Sequence, residues 1–256
     1  PPLWYQGDCI GRGAFARVYL GLDLENWDLI AVKQVRHTLA TSTTTCGWCA
    51  CDLRDISHST LRTEIGLLLS LSHPHIVRCF GYQVTAEQTS IFMEYVPGGS
   101  VASVLARLGP FPLAVAKDVT AQLLDALAYL HARGVVHRDV KAANVLLDIN
   151  GTVKLSDFGE SRRLRVLPLS SSAASAASSP PGSAVPPLHA ASRPLTTTAP
   201  SVIGYDFGVD VWGVGCVLLE MMSAQRPWPS CSTEMQAFYQ LGLGRVPPLP
   251  RTPQAD

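Results

Sequence analysis

One octapeptide limits what this chain can fold into more than any other stretch. His137-Arg138-Asp139-Val140-Lys141-Ala142-Ala143-Asn144 sets an acid, a base and an amide side by side, and Asp157-Phe158-Gly159 begins thirteen positions after Asn144. Charged side chains are rarely buried unless paired or bound, because taking a charge out of water costs several kcal/mol even after relaxation. Here they are flanked by apolar runs, Val135-Val136 before and Val145-Leu146-Leu147 after. The pattern predicts two short buried strands with a polar loop between them, a turn at Asn150-Gly151 and a return strand Val153-Lys154-Leu155. Asp139, Lys141, Asn144 and Asp157 then converge at one end. A solvated hairpin with incidental charges is the alternative.

The rest of the chain supplies the material for a core around that loop. Of its 256 residues 47% are hydrophobic, enough for one large domain or two lobes. Twenty basic residues balance twenty acidic ones, so there is no electrostatic reason to expect nucleic acid or an anionic membrane as the main partner. The longest apolar run, Val211 to Leu219, is too short to span a bilayer, and Pro1-Pro2 does not open a signal segment. A soluble cytoplasmic protein is the expectation. The seven cysteines, at 9, 46, 49, 51, 79, 216 and 231, are odd in number and scattered, which argues against a disulfide framework. Cys46, Cys49 and Cys51 with His58 could make a zinc or redox site, but no fourth ligand stands at paired spacing, and a Thr/Cys-rich surface insert is the reading to be preferred.

Cys9 to Leu20 alternates apolar and polar residues around Gly11 and Gly13 and reads as strand, tight turn, strand. A strand after the glycines, rather than a helix, argues against a dinucleotide-binding unit. Leu29 to Val35 is the next strand, and its Lys33 either snorkels to solvent or meets an acid. Residues 37–58 lack periodicity and read as a mobile insertion. Ile91 to Val96 runs into the break Pro97-Gly98-Gly99. Helices are predicted over Leu61–Leu69, Ser100–Leu108 and Leu113–Arg133, the last with a stripe of Val115, Val119, Leu123, Leu127 and Leu130 and a stop at Gly134. His131 near its end is expected to favour the helix dipole rather than bind a ligand.

These residues resemble the protein kinases. Residues 137–144 and 157–159 match the motifs HRDxKxxN and DFG letter for letter. Gly11, Gly13 and Val18 match the glycine-rich loop GxGxxGxV, with Ala16 in place of its third glycine; the extra methyl is expected to weaken nucleotide binding without abolishing it. Lys33 stands where the family keeps its VAIK lysine, and Glu64 where the partner glutamate lies. The resemblance implies a two-lobed α+β fold, with a small antiparallel β lobe carrying one helix over residues 1–96 and a mainly helical lobe over 97–256. It implies ATP and Mg²⁺ as cofactors, with Asp139 and Lys141 catalytic and Asn144 and Asp157 metal-binding. Ile10, Gly11, Gly13, Ala16, Val18, Ala31, Lys33, Glu64, Met93, Glu94 and Val96 would hold the nucleotide, Met93 as gatekeeper and Glu94 and Val96 through their backbone. Core filling is the plain reading of Met93, and compatible with that role. Ser72 to Arg78 is similar to the family's HPNIV turn, with His75 for Asn.

Gly98 to Leu105 with Gly109-Pro110-Phe111, and later Glu234-Met235-Gln236-Ala237 with Pro247-Pro248-Leu249-Pro250, are similar to mitogen-activated protein kinase kinase kinases, particularly plant and algal ones. The implied activity is transfer of the ATP γ-phosphate to a Ser or Thr hydroxyl, with a downstream kinase as protein substrate. Asp210 to Glu220 resembles the family's central lower helix, apolar all round, with Asp210 capping the catalytic loop from below and exposed apolar surface left around it.

The resemblance breaks in two places. Residues 168–198 are rich in Ser, Ala, Pro and Thr and hold no acid, a composition expected to stay disordered, its hydroxyls either phosphorylation sites or plain linker. Ala199-Pro200-Ser201-Val202-Ile203 resembles APEVI with Ser201 for the glutamate, and Pro194 takes the place of the substrate-loop threonine, for which Thr196–Thr198 would have to shift register. The arginine that pairs with that glutamate falls beyond Asp256, so the lower lobe reads as incomplete. A nucleotide-binding pseudokinase or scaffold, and a gene fragment lacking these parts, are the alternatives.

Overall fold

The computed structural model describes residues 3–13, 16–36, 59–85, 87–164 and 207–249. The expectations for the insert 37–58, with Cys46, Cys49, Cys51 and His58, and for 168–203, with Pro194, Thr196–Thr198 and Ser201, lie outside the described residues.

Alternating apolar residues in the first part of the chain form five antiparallel strands: β1 (Trp4–Arg12), β2 (Ala16–Asp23), β3 (Leu29–Arg36), β4 (Cys79–Val84) and β5 (Gln88–Glu94), in the order β1-β2-β3-β5-β4. Register partners share a face. Val18, Lys33 and Ile91 therefore stand in one row and Leu20, Ala31 and Met93 in the next. Helix α1 (Ser59–Ser70) packs Leu61, Ile65 and Leu68 in one core with Tyr82, Val84 and Ile91. The opposite face of the sheet buries Ile30, Val32 and Phe92, with Trp4 edge-on to Phe92 at 5.7 Å.

The second half is mainly helical, with α2 (Val101–Leu108), α3 (Leu113–His131), α4 (Gly208–Ser223) and α5 (Glu234–Gly242). Ser100 caps α2, its Oγ accepting the Ser103 N–H at 3.2 Å. The α3 stripe forms from Val119, Leu123, Leu127 and Leu130, but Val115 is exposed and Ala116 takes its place in the core. Gly134 follows with a left-handed φ of 68°, a backbone only glycine adopts freely, so the chain leaves α3 there. Helix α4 is not buried all round: Asp210, Gly213, Val214, Val217 and Met221 face inward, while Val211 and Trp212 are exposed.

Between α3 and α4 come short strands: β6 (Val135–Val136), β7 (Val145–Leu147), β8 (Val153–Leu155) and β9 (Arg162–Arg163). β7 and β8 form the expected hairpin. β6 pairs instead with β9, so the polar loop is held at both ends by different partners. The turn after α1 is stitched to β8, with Val77 N–H donating to Leu155 O at 3.0 Å and Leu155 N–H to His75 O at 2.9 Å. The sheet half and the helical half thereby meet beside the polar loop.

Candidate active site

The loop 137–144 rests on a fully buried acid. Asp210, in the first turn of α4, accepts the backbone N–H of His137 at 2.9 Å and of Arg138 at 2.7 Å, the capping role expected of it. His131 is not merely a dipole partner, since its Nε2 lies 2.7 Å from Asp210 Oδ2 and its ring stacks on Phe207. Arg138 holds a left-handed φ of 73°, an unfavourable state for a non-glycine residue that the surrounding bonds impose. His137 is itself buried, with Nε2 3.1 Å from Ser156 O and Nδ1 accepting the Asp139 N–H at 3.3 Å. That arrangement suits a neutral ring protonated on Nε2. Burial pushes its pKa down and outweighs the opposing pull of Asp210.

Lys33 reaches from β3 to two acids from distant parts of the chain. Its Nζ lies 2.6 Å from Glu64 Oε1 and 3.1 Å from Asp157 Oδ1. Burial disfavours the ammonium, but Glu64 and then Asp157 outweigh it and raise the Lys33 pKa. Burial likewise opposes ionisation of Asp157, yet Lys33 and the Gly159 N–H hold its pKa below the ordinary carboxylate range. Asp157 has a φ of 61°, a second left-handed non-glycine residue in the site.

Asp139, Lys141 and Asn144 form a second cluster. Asp139 Oδ2 accepts from Lys141 Nζ at 2.7 Å and from Asn144 Nδ2 at 2.9 Å, and Asn144 Nδ2 also donates to Asp139 O at 2.8 Å. The two clusters are joined through Ser156, whose N–H and Oγ both donate to Asn144 O at 2.9 Å and which immediately precedes Asp157. With its amide nitrogen engaged, Asn144 keeps Oδ1 as an oxygen ligand, and half-exposed Asp157 keeps Oδ2. Hard oxygen donors of this kind fit Mg²⁺, which takes one or two protein ligands and fills its shell with water and phosphate oxygens. Among the described residues no group of three or more His, Cys, Asp or Glu could hold a metal ion by itself.

The remaining residues line up along the sheet. Gly13 N–H donates to Ala16 O at 2.8 Å, closing the turn between β1 and β2, and Gly11 pairs with Val18. Ala31 and Val96 are buried, Val18 and Met93 half-buried, and Ile10 is exposed. The Glu94 N–H is already bound to Arg78 O at 2.9 Å. Its carboxylate, whose partner no local pattern announces, meets Lys154 Nζ at 2.8 Å and so ties the end of β5 to β8. Sequence reasoning also passed over His137 and His131 as anchors; the placing of His137 inside the octapeptide was the available signal.

The protein kinase domain family model matches residues 4–243. The chain is 39% identical to mitogen-activated protein kinase kinase kinase 2 of Arabidopsis thaliana over 262 aligned positions, covering all of this chain and 37% of that protein. It is 37% identical to mitogen-activated protein kinase kinase kinase ANP1 of the same plant, again over the whole chain and 36% of the relative. Mitogen-activated protein kinase kinase kinase 3 of Arabidopsis thaliana is 37% identical over 96% of this chain and 35% of its own length. The chain thus spans little more than a third of the length of these three relatives. None of these findings favours the scaffold alternative. With an antiparallel sheet in its first part, a mainly helical second half and a family match over residues 4–243, the chain belongs to the protein kinase family.

Proposed function

We propose that this chain transfers the γ-phosphoryl group of ATP to a serine or threonine hydroxyl of a protein, as a member of a mitogen-activated protein kinase cascade acting on a downstream kinase. The observation that carries this reading is Lys33 bonded at once to Glu64 and Asp157, one bonded step through Ser156 from the Asp139–Lys141–Asn144 cluster.

On this reading residues 1–96 are the small lobe and 97–256 the larger. Ile10, Val18, Ala31 and Met93 enclose the adenine, and the Glu94 carbonyl and Val96 backbone bond its edge. The amides of Gly11, Gly13 and Ala16 cover the phosphates. Lys33, fixed by Glu64, holds the phosphate tail. Asn144 and Asp157 would hold Mg²⁺, which when bound neutralises charge on the phosphate oxygens. Asp139 orients the substrate hydroxyl and takes its proton as the oxygen–phosphorus bond forms and the bond from the γ-phosphorus to the departing ADP breaks. Lys141, already 2.7 Å from Asp139, stabilises charge on the group in transfer. The relatives' names speak for the cascade and the kinase substrate. No described helix is long and apolar enough to cross a membrane, in keeping with the cytoplasm as the compartment we propose.

Purified chain with Mg-ATP and a generic protein substrate is expected to turn over, and Asp139→Asn to lose activity by about 10²-fold or more while keeping its melting temperature. An unchanged rate in Asp139→Asn refutes the assignment. Thermal-shift titration with Mg-ATP separates a failed nucleotide site from a failed transfer step.

A further inference from the structure

Behind the end of β5, away from Lys33, lies a hollow of about 370 Å³ that phosphoryl transfer does not use. His73 and Pro74 from the turn after α1, Arg78 and Phe80 at the start of β4, Glu94 and Lys154 form its walls. Side chains alternate along a strand, so Glu94 faces away from Met93, which packs against the main core. Glu94 stands opposite Ile30, and Ile30 and Phe80 both belong to the outer cluster of the sheet. The hollow therefore opens on the face that Lys33 does not share.

Its electrostatics are lopsided. Glu94 and Lys154 neutralise each other at 2.8 Å, and Glu94 Oε2 also accepts the Arg78 N–H at 3.2 Å. The Arg78 guanidinium lies over the Phe80 ring, 5.6 Å from its centroid, and among the described residues no carboxylate comes within 4.0 Å of it. Within the lining one net positive charge thus stands beside a half-buried aromatic ring, while Asp125, 3.5 Å from His73 Nε2, lies outside that lining. A guanidinium with no carboxylate beside it can take one through two parallel N–H bonds, and arginine next to an aromatic is a favoured combination where proteins bind each other. The volume falls in the lower part of the range of ligand pockets, about 300–1,000 Å³.

We propose that this hollow docks a short extended segment of a partner protein, with a carboxylate of the segment on Arg78 and an adjacent apolar side chain on Phe80 and Pro74. The charge calls for an acid, and the ring and proline call for an apolar neighbour that a free anion lacks. The segment would touch the strands that carry the adenine-side backbone and Asp157, because Arg78 and Glu94 exchange backbone and carboxylate bonds and Lys154 lies three residues before Asp157. It would not enter the nucleotide cleft.

The probes are two fluorescein-labelled heptapeptides, one alternating leucine and glutamate and one with serine for each leucine, titrated with the full chain and read by fluorescence anisotropy. The leucine-glutamate peptide is expected to bind, the serine-glutamate peptide about fivefold more weakly, and Arg78→Glu to weaken the first about tenfold or more. Saturating Mg-ATP is expected not to displace it. No binding, equal binding of both peptides, or displacement by Mg-ATP overturns the proposal. So does undiminished binding to Arg78→Glu; should that variant fail to fold, undiminished binding to Arg78→Gln decides in its place. Because binding rather than turnover is read, a chain that proves inactive tests the docking site equally well.

Discussion

The two polar turns of this molecule, the glycine turn from Gly11 to Ala16 and the loop from His137 to Asn144, are held in opposite ways. The loop is fixed from beneath and from the side: Asp210 takes two of its N–H groups, Ser161 Oγ donates to His137 O at 3.1 Å, and Phe158 meets the His137 ring edge-on at 4.8 Å. Among the described residues the glycine turn has the ladder between β1 and β2 and a cross-turn bond from Gly13 to Ala16, and most of β1 is exposed. Local opening is easiest where backbone bonds face solvent and few apolar groups are buried. In the proposed reaction the groups that handle the proton and the metal are thus over-determined, while the cover for the phosphates is left free to lift.

The sharpest way to break this contrast is to remove the support under the loop. Asp210→Ala leaves two N–H groups and the His131 ring without their acceptor in a buried site. It is expected to cost about 3–5 kcal/mol in chemical denaturation and to abolish activity with it. A variant that unfolds at the wild-type denaturant concentration would mean the loop is held elsewhere. Gly213→Ala presses on the same loop from α4, because the added carbon would sit 2.7 Å from both the Cβ and the carbonyl oxygen of Val140. Overpacking of this kind costs about 1–3 kcal/mol. A wild-type melting temperature for Gly213→Ala would show that α4 and the loop are free to separate.

The same contrast governs what could be read from the sequence. The strands around Lys33 and the helix carrying Val119, Leu123, Leu127 and Leu130 were legible, since period and spacing are properties of near neighbours. The acid under the loop was placed only through the family likeness, because its bonds to His137 and Arg138 span more than seventy residues. Nothing in a local pattern announces that Val135-Val136 pairs with Arg162-Arg163, or that Arg138 and Asp157 take left-handed backbones. Val115 and Trp212 mark the limit of periodicity: it gives a helix an apolar side but does not say how much of that side its neighbours will cover.

Acid should loosen the loop before it loosens the sheet. The buried His137 has a lowered pKa, so the unfolded chain binds more protons than the folded one once the pH drops below about 6.5, the ordinary histidine value. Its contribution is intact above that value and is lost as the pH falls towards the folded-state pKa. Protonation of Nδ1 would also release the Asp139 N–H. Burial lowers His73 in the same sense. The Asp157 carboxylate, held down by Lys33, adds a second loss at lower pH, below its ordinary range. Denaturation midpoints measured from pH 7.5 to 5 are expected to fall steadily, with amide exchange in residues 137–144 rising before that of β3 and β5. Exchange that rises first in β3 and β5 would reverse the assignment of rigidity.

The smallest effect is expected at the glycine turn. Ala16 begins β2 opposite Val35, and its carbonyl closes the turn by accepting from Gly13, so Ala16→Gly keeps the bond while removing the methyl. If that methyl limits how closely the turn approaches phosphates, the glycine variant should bind Mg-ATP about twofold more tightly while losing about 0.5–1 kcal/mol of stability to the greater freedom of its unfolded chain. Isothermal titration and denaturation on the same preparation measure both quantities. Tighter binding bought with lower stability fits a cover that is held loosely so that it can move. Weaker binding would mean that the alanine helps to hold the turn in shape, and that the cover is more ordered than its exposed strands suggest.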